Sequence, residues 1–164
     1  MVFNNILTIV LDNILINSNV NNIEMDIEQL TKLTMRDKQV YAAKCLYTYC
    51  GHFNIVDDSI DTLIEHLYAI KVVDDLSKWE SIGAKLELTG RGDPLPDLLL
   101  TRIPKERLAE FSLLHEYVVE VGLADMYGAD SNQPFEYLLK CIEILQKNTI
   151  ALPVYPNINN EIKN

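Results

Sequence analysis

Cysteine is scarce in this chain: Cys45, Cys50 and Cys141 are the only three in 164 residues. An odd number scattered through a chain of this length gives no disulfide framework, and reduced thiols are expected. Glycine and proline are also few, six of each, and no low-complexity block precedes residue 150, so fibrous and disordered classes do not fit. Basic residues are outnumbered, 14 Lys and Arg against 24 Asp and Glu, for a net charge of −10. Affinity for nucleic acid rests mostly on cationic contacts with phosphates, which makes DNA, RNA and anionic membranes poor partners. Long apolar runs are missing too. The most hydrophobic stretch, residues 2–16, is interrupted by Asn4, Asn5, Asp12 and Asn13 and is too short and polar to span a bilayer. It lacks the basic n-region and small-residue cleavage site of a secretory signal, and a cytoplasmic location is the expectation.

What the chain has is apolar residues, 48% of the total, enough for one domain that buries roughly 70% of its unfolded surface. They recur with a period of 3.6 almost throughout, and alternation with a period of two is nearly absent. An all-α, single-domain bundle of about six to seven helices over residues 1–152 is expected, with a loose tail at 153–164. Residues 2–16 read as a largely buried helix, 17–22 as a turn and 23–33 as a short amphipathic piece. Thr34 and Asp37 resemble a capping box for a helix that Gly51 would stop. Asp57, Asp58 and Ser59 cap a helix over 57–73 that aligns Ile60, Leu63, Ile64 and Leu67. The segment 74–104 is irregular, broken by Gly90, Gly92, Pro94, Pro96 and Pro104. It holds a possible helix over 78–86, with short strands at 85–89 or 98–103 left open. Pro104 then opens a helix that Gly122 would end. The helix over 134–147 is apolar round more than half its circumference, which places it at the bundle centre, and its Glu136–Lys140 and Glu143–Lys147 spacings favour i, i+4 pairs.

Spacing supports little catalytic chemistry. Cys45, Cys50 and His52 come nearest to a zinc set, but the helical wheel makes the two sulfurs diverge, as a surface thiol and a core thiol would. His115 and Glu116 begin an H-E-x-x-H pattern whose second histidine is replaced by Val119. His115 instead falls among Leu108, Phe111, Val118 and Val119 and reads as a core histidine, while His66, off its apolar arc, reads as exposed. Gly90 and Gly92 lack the Lys-Ser/Thr of a phosphate loop, and no cofactor is expected. Arg91-Gly92-Asp93 reads as a tight turn. Trp79 reads as core rather than as a binding anchor.

Charge is more informative. Asp57, Asp58, Asp61 and Glu65 form one acidic arc with no base between them, although like charges at i, i+4 cost a few tenths of a kcal/mol, roughly. On the next long helix, Glu106, Glu110, Glu116 and Glu120 surround Leu113 and Tyr117, which are neighbours four residues apart. An apolar and aromatic pair ringed by acids is what a docking patch for a basic protein would look like. The alternative is that Leu113 and Tyr117 pack under a neighbouring segment and leave an ordinary solvated face.

A small, strongly acidic helical domain rich in Asn and Ile, carrying these acidic arcs, resembles the immunity proteins of bacterial toxin systems of the contact-dependent inhibition and polymorphic-toxin kind. The resemblance covers overall character along the chain. It implies a non-catalytic protein that binds one cognate toxin domain tightly, often a basic nuclease, and blocks its active site or substrate groove. Two other readings stay open. One is a helical scaffold or adaptor that self-associates through the apolar arcs of 2–16 and 134–147. The other is an enzyme whose distant carboxylates converge on His115.

Overall fold

The computed structural model describes residues 27–154. Among them are seven α-helices, one 3-10 turn and no strand. They run in the order α1 (Ile27–Thr31), α2 (Met35–His52), α3 (Asp58–Ala69), α4 (Leu76–Gly83), α5 (Asp97–Arg102), the 3-10 turn (Lys105–Arg107), α6 (Leu108–Leu123) and α7 (Gln133–Lys147). The architecture is all-α. The helix expected over 2–16, the turn at 17–22 and the tail beyond residue 154 lie outside the described residues. Within 74–104 neither candidate strand forms: 85–89 is a run of turns and bends, and most of 98–103 belongs to α5.

Helix starts follow side-chain chemistry. Thr34 Oγ1 accepts from the Asp37 amide at 3.1 Å, Asp57 Oδ1 from the Ser59 amide at 2.9 Å, and Asp75 Oδ1 from the Lys78 amide at 3.1 Å. Each cap satisfies a donor that the first turn would leave orphaned. Helix ends depart from the sequence expectation. The α2 helix runs through Gly51, and the chain turns at Asn54, where φ is +53° and the Ile55 amide closes a bond to the Cys50 carbonyl at 2.9 Å. Asparagine tolerates this left-handed position well enough to serve in place of glycine. Gly122 likewise does not end α6 but lies inside it.

Burial explains Gly122. The α2 helix is buried at Gln39, Tyr41, Ala42, Ala43, Cys45, Leu46, Tyr49 and Cys50, nearly all round, and it packs against α3, α6 and α7. It therefore takes the central place that the wide apolar arc of α7 suggested for α7 itself. Cys45 is buried with Cys50 rather than at the surface, for the same reason. Between α2 and α6 the approach is close. Gln39 is fully buried and donates from Nε2 to the Val118 carbonyl at 2.8 Å, and a Cβ on Gly122 would lie 2.3 Å from Gln39 Oε1. Glycine is there for space.

The α7 helix packs on α6 and α2, burying Phe135, Leu138, Leu139, Ile142 and Leu145 at helical spacing. The arc considered for self-association is thus consumed by the core. Each such side chain contributes about 1.5–3 kcal/mol when fully buried. Two joints fix the α3–α4 region. Arg36 donates to the Val73 carbonyl at 2.6 Å and to that of Ile70, bringing a cation to the end of α3. Trp79, 3% exposed, donates from Nε1 to the His66 carbonyl at 2.8 Å and stacks on the His66 ring at 4.7 Å. His66 is half-buried by that stack, not exposed.

Candidate functional site

The ten residues singled out by charge and spacing separate into three environments. Asp57 and Glu110 are structural. Asp57 is 6% exposed, receives the Ser59 amide and hydroxyl, and pairs with Arg102 at 2.9 Å. Burial alone would raise its pKa, but the Ser59 bonds and the Arg102 charge outweigh it and hold the carboxyl below its ordinary value. Glu110 lies where α2, α6 and the end of α7 meet. It accepts from Tyr49 Oη at 2.9 Å and Asn148 Nδ2 at 2.8 Å, with Lys147 3.4 Å away. Burial opposes ionisation there as well, and is overcome by the bonds from Tyr49, Asn148 and Lys147. Both carboxylates are thus engaged inside the fold, Asp57 with Ser59 and Arg102 and Glu110 with Tyr49, Asn148 and Lys147.

Asp58, Asp61 and Glu65 are exposed along one stripe of α3, and Glu106 is exposed in the 3-10 turn. Leu113, Glu116, Tyr117 and Glu120 form the third set, on one face of α6. Leu113 is 46% exposed, and the other three are half-buried. The α3 and α6 sets lie on separate helices that each pack on α2.

The α6 set borders a cleft of about 360 Å³. Glu116, Tyr117 and Glu120 form one wall and Tyr137 of α7 another; Gly90, Arg91 and Gly92 close the third side. The Tyr117 and Tyr137 rings are 6.1 Å apart, centroid to centroid, with planes inclined by 35°. Lys140 Nζ lies over both, 4.9 Å from the Tyr117 centroid and 5.1 Å from that of Tyr137. The loop reaches α6 because Gly90 (φ +66°) has no side chain: a Cβ there would meet Val119 Cγ2 at 2.4 Å. Arg91 turns away from solvent into an ion pair with Glu80, whose carbonyl it also reaches at 3.1 Å. Neither Glu116 nor Glu120 enters an ion pair among the described residues.

Tyr137, Lys140 and the 90–92 loop were not marked by the sequence as site residues. Sequence spacing leaves Tyr137 unnamed and pairs Lys140 with Glu136. In the fold, neither expected i, i+4 pair of α7 is among the ion pairs of the described residues; Lys140 turns to the tyrosines and Lys147 to Glu110.

His115 and the three cysteines are enclosed, while His52 is exposed. His115 is 2% exposed, stacks on Phe111 at 5.4 Å and donates from Nδ1 to the Phe111 carbonyl at 3.2 Å. Burial lowers its pKa against the raising influence of that bond and of Glu116. Burial pushes the Cys50 thiol up to about 12, and those of Cys45 and Cys141 also upward, which suppresses the nucleophilic thiolate. Among the described residues no three His, Cys, Asp or Glu converge as a metal site, and no helix is long and apolar enough to cross a membrane. Compared with protein-family models, with curated proteins and with solved structures, the chain matches none of them.

Proposed function

We propose that this chain is a non-catalytic binding protein that captures and neutralises a basic protein, in the manner of an immunity protein acting on a cationic toxin domain such as a nuclease. The observation that carries the reading is the α6–α7 cleft, where Glu116 and Glu120, without ion-pair partners among the described residues, line the same cleft as the Tyr117–Tyr137 pair. A concave site that combines aromatic area with uncompensated carboxylates is complementary to a cationic, partly apolar protuberance. Leu113, exposed about one turn away, extends its apolar part.

The charge distribution suits rapid capture. A nuclease must be cationic to hold phosphates, and a chain of net charge −10 imitates that polyanion. Such steering raises association toward ~10⁸–10⁹ M⁻¹s⁻¹ at low salt. Asp58, Asp61 and Glu65, exposed on α3, would act through rate, whereas the half-buried cleft residues would act through residence. The test is to read the neighbouring reading frame for a basic toxin domain and to co-express that domain with this chain; a neighbourhood that encodes none counts against the reading. Protection of growth by the wild-type chain, weakened when Glu116 and Glu120 are both replaced by Gln, is expected. Undiminished toxicity beside the wild-type chain would overturn the reading.

A further inference from the structure

We infer that the cleft beside Tyr117 and Tyr137 is a seat for one cationic side chain of the partner, and that Lys140 is a resident cation which that side chain displaces. The inference rests on the reading of the partner as a basic protein and adds what it inserts. Lys140 Nζ is nearly equidistant from the two ring centroids, at 4.9 and 5.1 Å, inside the ~6 Å range of cation–π attraction. The rings are therefore already arranged to hold a positive charge. Lys140 is exposed, whereas both tyrosines line the cleft, so a second cation seated over the same rings would compete with its ammonium for them.

The neighbouring charges favour a second cation. Glu116 and Glu120, one turn apart on α6, both face the cleft without an ion pair among the described residues. Arg91 also lines it, but its guanidinium is engaged by Glu80. Lys140 forms an ion pair with neither cleft carboxylate among the described residues, and an arriving guanidinium or ammonium would bring a charge to both as well as to the rings. Its exposed, flexible stem lets Lys140 withdraw into water at small cost.

The probes are N-acetyl-arginine methylamide and N-acetyl-lysine methylamide, with the neutral citrulline analogue as control, titrated into the full chain and followed by NMR of the tyrosine ring protons. Both cations are expected to shift the Tyr117 and Tyr137 resonances, and the tighter of the two identifies the preferred side chain. Lys140→Met, which keeps the stem and removes the charge, should tighten binding about three- to tenfold. Tyr137→Leu should abolish the response and Tyr137→Phe should restore it. Equal shifts with citrulline, or no tightening in Lys140→Met, would overturn the seat. Toxin protection that survives such a result leaves the broader reading standing; a working seat without protection removes the broader reading alone.

Discussion

Placing a methyl group on Gly122 is the sharpest probe of how the bundle is packed. In an open helix interior, Gly→Ala stabilises by about 1 kcal/mol, because alanine loses less backbone entropy. Here the new Cβ would stand 2.3 Å from Gln39 Oε1, 3.1 Å from Gln39 Cδ and 3.1 Å from Trp79 Cη2. A glutamine amide can ordinarily rotate aside. This one is fully buried and tied through Nε2 to the Val118 carbonyl at 2.8 Å, so moving it sacrifices that bond. Overpacking costs about 1–3 kcal/mol, and leaving the buried amide without its partner about 1–3 kcal/mol more. After the propensity gain, Gly122→Ala should destabilise by about 3 kcal/mol, within a range of about 1–5. For a chain of this size that is a fall in Tm of about 6–12 °C.

Urea unfolding followed by circular dichroism and by the fluorescence of Trp79, the only tryptophan, measures the loss. The double variant Gly122→Ala, Gln39→Ala isolates the cause: with the amide removed the methyl has room, and the two substitutions should together cost less than the sum of their separate costs. A neutral or stabilising Gly122→Ala would refute the claim that glycine sits there for space.

Two further predictions separate structure from binding. Glu110→Ala strands the buried Tyr49 hydroxyl and takes from the Asn148 amide one of its two acceptors and should cost about 1–3 kcal/mol, whereas Glu116→Gln and Glu120→Gln should stay within about 0.5 kcal/mol of wild type; thermal unfolding decides, and equal costs would contradict the division. Stability should also fall with acidity in two stages. Burial, aided by Arg91 for His66, holds His66 and His115 below the ordinary value of 6.5, so the unfolded chain takes up protons first as pH drops through 6.5, and folding free energy is lost from there downward. Asp57 and Glu110, held below the ordinary 3.8 and 4.5, add a second loss as pH falls through that lower range toward their folded values. Urea midpoints at pH 7.5, 5.5 and 3 read both stages, and a midpoint that holds or rises between pH 7.5 and 5.5 would contradict the first.

Much of the architecture was legible because it is local. Thr34 and Asp57 announce helix starts through the oxygen each lends to a nearby amide, and Phe135, Leu138, Ile142 and Leu145 announce a buried face by spacing alone. The same periodicity put Glu116, Tyr117 and Glu120 on one side of α6. It could not supply the opposite wall. Tyr137 and Lys140 meet Tyr117 because α7 packs alongside α6, a register that no single helical wheel contains. The two glycines that looked like helix stops show the same limit: Gly51 continues a helix that Asn54 ends, and the meaning of Gly122 lies 83 positions away in Gln39.

Net charge is a sum, and the fold decides which of its members are available to a partner. In Asp57 the cap was visible, but not its enclosure by Arg102, 45 residues later. In Glu110 helical spacing suggested the same face as Leu113 and Tyr117, yet Tyr49 and Asn148 claim its oxygens first. An internally engaged carboxylate raises stability above its own pKa and adds little to recognition, since its acceptors are filled and its charge is partly cancelled. Glu116 and Glu120 are the converse: half-buried, where the dielectric strengthens a charge interaction, but with no ion pair of their own among the described residues. Carboxylates that bear part of the desolvation cost without a partner inside the chain gain most from a cation brought from outside. If the proposed function holds, it is this state of Glu116 and Glu120, more than the total of −10, that would direct a basic protein to the tyrosine cleft.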